Sequence, residues 1–233
     1  MRVQTLHSWD LTPAEAIALQ NQLKKQLLLS PGPLPPVRTI AGADISWDPV
    51  TKNGYAGVIV YAWPGLIEVE RASARGPATF PYVPGLLTFR EGPLLVEAFQ
   101  KLKNAPDLVF IDGHGTAHPR RMGIAAHMGL LLDKPTIGCG KSRLVGEFTP
   151  PPPHRGARSP LRHKGEIIGA VLRTKLETQP VFVSPGHRIS LEEAVQWTLA
   201  CGDGYRIPKP TREADRFVDQ LRRADLSEEY VPF

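Results

Sequence analysis

The run Leu108-Val109-Phe110-Ile111 is apolar at every position and stops abruptly at Asp112. A strand with one face in water alternates apolar and polar side chains, so four large apolar residues in succession describe a strand covered on both faces. The surrounding pattern supplies the cover. Residues 92–102 carry an apolar face of Leu94, Leu95, Ala98, Phe99 and Leu102 at helical spacing, and a second helix is expected at 123–132, before a strand at 136–139.

Upstream, candidate strands at 40–45, 55–63 and 66–72 follow one another without an intervening helix, a pattern that forms an antiparallel meander. Before them, Thr12-Pro13-Ala14-Glu15 combines an N-cap, a proline at the first helical position and an acid at N3, and opens a helix to about residue 28 that 30–36 breaks. Downstream, 149–164 is a polar segment whose proline-rich stretch 150–158 reads as a basic surface loop, followed by strands near 166–173 and 181–183 and helices at 191–201 and 212–224. Strands first, then alternating helices and strands, predict an α/β fold: a mixed sheet, antiparallel meander then parallel strands, flanked by helices. A length of 233 residues without an internal repeat fits one domain, 1–233.

Charge and cysteine content narrow the function classes. An excess of 28 Lys and Arg over 23 Asp and Glu permits a polyanionic partner without requiring one. Cys139 and Cys201 are too few for a disulfide framework or a four-thiolate zinc site, which points to a reducing cytoplasm. The N-terminal residues lack the apolar core of a signal peptide and no run approaches membrane-spanning length, so no membrane partner is expected.

Four acids stand out. Asp44 is read at the end of the first strand, Asp112 at the end of the buried one, Glu91 just before a helix start at Gly92-Pro93, and Asp215 in the first turn of the last helix. Each has an ordinary structural use, as a turn former or as a partner of a helix N-terminus. If the two strands are neighbours, however, the Asp44 and Asp112 carboxylates converge, and carboxylates crowded together stay ionised only around cations. Gly113 and Gly115 flank His114 and allow close backbone approach to something bound there. His118, Arg120 and Arg121 bring an imidazole and two guanidiniums together, a cluster that can hold a phosphate and relay a proton. Tyr82 lies on a tip stiffened by Pro81 and Pro84, a design that suits a wedge between stacked bases or a ring packed on its own loop. Gly140-Lys141-Ser142 resembles the end of a phosphate-binding P-loop, but Pro135 occupies the place of its first glycine; Lys141 is therefore a cation at a strand end, aimed at the carboxylates. His187, after another strand, reads as structural.

Taken together, these motifs resemble the endonuclease V family of deoxyinosine-directed repair nucleases. The resemblance rests on Phe80-Pro81-Tyr82-Val83-Pro84-Gly85-Leu86-Leu87-Thr88-Phe89-Arg90-Glu91-Gly92-Pro93, on Asp112-Gly113-His114-Gly115-Thr116-Ala117-His118-Pro119-Arg120 with Gly123-Ile124-Ala125, on Lys141-Ser142 and on Ser184-Pro185-Gly186-His187, and spans about residues 40–216. It implies a ribonuclease H-like fold. It implies that Asp44, Glu91 and Asp112 bind metal, Mg²⁺ with Mn²⁺ as substitute, with Asp215 at a position where the family has His or Asp. His118 and Lys141 match residues at the scissile phosphate, and Tyr82 matches the wedge. Gly85, Leu87, Gly113 and Ile124 match the lining of a pocket for extruded hypoxanthine, with Pro84, Arg90 and Arg120 as further substrate contacts. His114 stands where a smaller polar residue such as Gln is expected, a departure that bears on the pocket edge or metal preference. The implied activity is hydrolysis of the second phosphodiester bond 3′ to a deaminated base in DNA, leaving 3′-hydroxyl and 5′-phosphate ends, by a monomer. Two alternatives stay open at this point: an inosine-specific ribonuclease acting on edited RNA, and a catalytically idle nucleic-acid-binding module.

Overall fold

The computed structural model of the chain describes residues 1–229, and side chains as far as residue 225. Strands β1 (Thr39–Trp47), β2 (Asn53–Ala62) and β3 (Ile67–Pro77) form the antiparallel meander. Strand β4 (Leu108–Ile111) pairs parallel to β1, and β5 (Thr136–Gly140) parallel to β4. Three more strands, β6 (Arg158–His163), β7 (Glu166–Leu172) and β8 (Val181–His187), continue antiparallel from β5 and give one mixed sheet in the order β3-β2-β1-β4-β5-β8-β7-β6. The β3-β2-β1-β4-β5 half is the ribonuclease H-like arrangement that the sequence predicts. Helices α1 (Pro13–Leu23), α2 (Leu87–Gln100), α3 (Ile124–Leu132), α4 (Leu191–Ala200) and α5 (Lys209–Glu229) flank it.

Strand β4 explains its own composition. Val109 and Ile111 pack with Leu95 and Phe99 of α2 and Met128 of α3, whereas Leu108 and Phe110 belong to a second cluster with Ile137, Ile189 and Val195 on the opposite face. Both faces are dry, so no polar residue can be placed between Leu108 and Ile111 without losing about 2–5 kcal/mol of packing.

Four features depart from the sequence expectation. Strand β1 runs on to Trp47, so Asp44 lies within it, paired across to Gly57, rather than at its end. Helix α2 begins at Leu87 and contains Pro93, so Glu91 sits inside the helix instead of ahead of it and is not a helix-terminus acid. Proline removes one helical hydrogen bond, which made Gly92-Pro93 read as a start; packing of Phe89 on Phe80, with ring centroids 5.6 Å apart, holds the preceding turn in place. Helix α1 ends at Leu23 and passes into one 3₁₀ turn, Lys24–Gln26, short of residue 28. Residues 158–163, expected only as part of a polar segment, form strand β6: Ser159 and Leu161 point inward, and the strand is at the sheet edge, where Pro160 is tolerated because its missing N–H costs no ladder bond.

The last helix crosses β1 in direct contact. A Cβ on Gly42 would sit 1.9 Å from the Pro210 carbonyl oxygen, so only glycine lets α5 lie this close. Gly42→Ala is expected to force the elements apart at a cost of about 1–3 kcal/mol, read as a lower urea midpoint. The same substitution displaces Asp215, which α5 carries, so divalent metal should protect the variant against unfolding less than it protects the wild type.

Candidate active site

The register of β1 against β4 creates the centre. Ala43 pairs with Ile111, the Asp112 amide donates to the Ala43 carbonyl at 3.1 Å, and the next side chains along, Asp44 and Asp112, are therefore neighbours. Helix α5 brings Asp215 over the same end, and one carboxylate oxygen from each of the three lies within 4.8 Å of the others. Lys141 follows β5, the strand beside β4, and its Nζ is 2.5 Å from Asp112 Oδ2 and 3.2 Å from Asp215 Oδ1.

The electrostatics follow from that crowding. Burial, then the Asp112 charge, raises the Asp44 carboxyl well above the ordinary range, although the Ile45 amide donates to its Oδ1 at 2.7 Å. Burial also raises Asp112, against the pull of Lys141. For Lys141 burial opposes the charged form, but the three carboxylates outweigh it and its pKa is raised. The ammonium is thus the resident counter-charge of a cluster with more negative than positive charge. The donor set is all hard carboxylate oxygen, which fits Mg²⁺ or Mn²⁺ and not a thiophilic metal.

Glu91 is close to this group without belonging to it. It is 7% exposed, its Oε1 accepts from Trp47 Nε1 at 3.1 Å, and burial, reinforced by the Asp112 charge, pushes its pKa up to about 8.

Next to the acids, a cavity of about 230 Å³ is lined by Tyr82, Pro84, Gly85, Leu87, Gly113, His114, His118, Ile124 and Leu144, among others. Its size is below the usual range for drug-sized ligands and suits one flat ring system. Gly113 adopts φ +141°, and a Cβ there would lie 2.7 Å from the Ile124 side chain. Gly85, at φ +80°, turns its carbonyl toward three donors: Arg120 Nη2 at 2.7 Å, His118 Nε2 at 2.9 Å and Gln20 Nε2 at 3.0 Å. Tyr82 stands out from the cavity mouth at 71% exposure, while Phe80 at the root of the same loop is buried and its carbonyl accepts from Arg90 Nη1 at 3.1 Å.

His118 and Arg120 differ from the expected phosphate-facing cluster. With Nε2–H donating to Gly85, His118 Nδ1 accepts from the amides of Arg120 and Met122 at 3.2 and 3.4 Å. Both ring nitrogens are committed, and burial lowers the pKa to about 4, so the imidazole is neutral near pH 7. Arg120 Nε is bonded to Gln20 Oε1 at 2.5 Å, and Arg121 reaches Glu166 and the His163 carbonyl. These groups brace the pocket wall. Arg90 likewise lies over the Trp47 ring, 4.3 Å from its centroid, rather than free for substrate. His114 fills the pocket edge against Gly140, whose missing side chain leaves room for the ring. His187 is structural as expected, its Nδ1 accepting from the Leu28 amide at 3.3 Å. Gln20 and Trp47 were not singled out from the sequence; a glutamine on the buried stripe of α1 was the available signal for the first.

Comparison with known proteins agrees with this geometry. The family model described as Endonuclease V matches residues 21–216. The chain belongs to the endonuclease V family. It is 50% identical over 217 residues to endonuclease V of Myxococcus xanthus, covering 93% of this chain and 92% of that protein. The crystal structure of Bacillus subtilis endonuclease V superposes with a TM-score of 0.93 at 33% identity, covering 98% of this chain and all of the other. A Ciona intestinalis endonuclease V variant, in complex with a 23mer DNA containing an inosine followed by a ribo-adenosine, matches with a TM-score of 0.79 at 25% identity over 92% of this chain and 99% of that one. As an endonuclease V the chain is a nuclease, an enzyme acting on phosphodiester bonds. The family is metal-dependent, and the acidic trio provides a fitting place for a cation. No helix among the described residues is long and apolar enough to cross a membrane.

The raised Glu91 pKa gives a signed pH prediction. Its folded value near 8 exceeds the ordinary 4.5, so without metal this group stabilises the fold fully below about pH 4.5 and that stabilisation is lost as pH rises through 8. Glu91→Gln cannot titrate. In chelator, its Tm relative to wild type should climb steadily from pH 4.5 to 9, and a flat difference would show that Glu91 ionises freely.

Proposed function

We propose that the chain is a metal-dependent endonuclease that recognises deaminated bases in DNA, chiefly inosine, and hydrolyses the second phosphodiester bond 3′ to the lesion, leaving 3′-hydroxyl and 5′-phosphate. One observation carries this reading: the loop after β4 supplies a carboxylate to the acid cluster through Asp112 and the wall of a base-sized cavity through Gly113 and His114. A nucleotide extruded into the cavity would have its own backbone beside the acids. The DNA with inosine bound by the Ciona relative supports the choice of substrate.

The geometry supports the following residue roles. Asp44, Asp112 and Asp215, with Glu91 beside them, would hold Mg²⁺, or Mn²⁺ in its place. A metal bound there supplies acidification of a water and charge stabilisation of the attacking and leaving oxygens. Lys141, no longer needed as counter-charge, presents its ammonium to the scissile phosphate. Tyr82 enters the stack where the lesion has left, and a mispaired inosine costs less to extrude than a sound pair. Gly85, Leu87, Gly113 and Ile124 surround the base, with Pro84 stiffening the rim. His118, Arg120 and Arg90 act on substrate at one remove, by fixing Gly85 and the Tyr82 loop. The reading includes one ribonuclease H-like domain working as a monomer in the cytoplasm, where the free, buried Cys139 and Cys201 stay reduced.

A second substrate reading, inosine in edited RNA, is favoured by the ribo-adenosine that follows inosine in the Ciona complex. Only contacts to the 2′-hydroxyl separate the two polymers. Cleavage of matched inosine-containing DNA and RNA strands side by side in Mg²⁺ decides between them, with faster nicking of DNA expected. Asp112→Asn should abolish nicking; full activity in that variant would overturn the metal assignment. Tyr82→Ala should lose preference for inosine over undamaged DNA while cutting at saturating enzyme persists, whereas Asp44→Ala should bind lesion DNA and leave it uncut.

A further inference from the structure

Trp47 ends β1, one residue before the chain turns, and none of the roles above is assigned to it. Its indole has two partners, one at the ring nitrogen and one over the ring face. Nε1 donates to Glu91 Oε1 at 3.1 Å, and the ring carries the Arg90 guanidinium 4.3 Å from its centroid. Arg90 Nη1 in turn holds the Phe80 carbonyl at 3.1 Å, at the root of the loop that presents Tyr82. The slot for the indole is built for it. Gly54, the β2 residue opposite Trp47, would place a Cβ 2.7 Å from the Cη2 and Cζ3 atoms of the ring, so a larger residue there would expel it.

We propose that Trp47 is a positioning residue that fixes the Glu91 carboxylate for metal and ties it, through Arg90, to the loop carrying the Tyr82 wedge. This rests on Glu91 having the metal role proposed above. The physical case has two parts. A buried carboxylate with one oxygen held by a directional N–H cannot rotate freely, so its other oxygen keeps one orientation; partners of this kind typically change metal affinity about 10–100-fold when removed. The guanidinium on the ring face is a cation–π contact with an aromatic body that stays in place even if the N–H is lost. The two links can therefore be cut separately.

Trp47→Phe keeps an aromatic face under Arg90 and removes only the donor, whereas Trp47→Ala removes both. Mn²⁺ binding to the full chain, measured by calorimetry without DNA, should weaken about tenfold in Trp47→Phe, and the Mg²⁺ concentration for half-maximal nicking should rise in parallel. Preference for inosine over undamaged duplex, measured by binding in chelator, should be retained in Trp47→Phe and reduced in Trp47→Ala. Thermal unfolding in chelator is measured alongside. Glu91→Gln is the reference: if it too binds Mn²⁺ as wild type does, the metal role of Glu91 has failed and Trp47 falls with it. If Glu91→Gln weakens Mn²⁺ binding and Trp47→Phe does not, Glu91 keeps its role and the proposal for Trp47 is overturned. Equal loss of metal affinity and lesion preference in both Trp47 variants, in proportion to a drop in Tm, would also overturn it, since that is the signature of a packing residue alone.

Discussion

The active centre depends on one backbone hydrogen bond more than on any side chain: the amide of Asp112 donating to the carbonyl of Ala43, where the parallel ladder of β1 and β4 ends. Successive side chains of a strand point to opposite faces, so a slip of one residue would send Asp44 and Asp112 to different sides of the sheet. The register is held by the packing of β4 on both faces, with Val109 and Ile111 against one layer of helices and Leu108 and Phe110 against the other. An apolar strand buried on both faces thus sets the distance between two carboxylates. Burial raises the Asp44 and Asp112 pKa values, helped by the Asp112 charge at Asp44 and by the Asp215 charge at Asp112, and Lys141 offsets the excess negative charge.

Much of this was legible from residues alone, and the misses share a cause. The run 108–111 identified the buried strand because every position is apolar, and the convergence of Asp44 with Asp112 followed once that strand was placed beside the first. Lys141 was legible because Pro135 ruled out a phosphate loop and left a cation at a strand end. Boundaries were less so. Pro93 suggested a helix start that the Phe80–Phe89 contact overrides, and the prolines around β6 hid an edge strand whose alternation of buried Ser159 and Leu161 is short. Orientation was hidden altogether. Nothing in the local pattern of His118, Pro119 and Arg120 tells that the imidazole and guanidinium turn inward to Gly85, because the partner carbonyl is more than thirty residues away in the chain.

Gly85 shows how the pocket is kept rigid. A carbonyl that accepts from a guanidinium, an imidazole and a carboxamide is restrained from three directions, and those donors come from α1 and from the loop after β4. Enclosing a flat base requires walls that do not relax when the cavity is empty, and polar bonds to the main chain provide that stiffness without placing charge in the cavity. His118 is suited to the task because burial keeps it neutral, so it adds no second positive charge beside Arg120.

Helix α5 gives the site an order of assembly. Asp44, Asp112 and Lys141 lie on the sheet, but Asp215 arrives on an element of the last part of the chain, seated against β1 only because Gly42 has no side chain. During synthesis the sheet and the base pocket are translated before that helix emerges. A polypeptide made only as far as β8 would hold the cavity and two of the clustered carboxylates but not the third, so the acid cluster is completed only once α5 has been made and has docked.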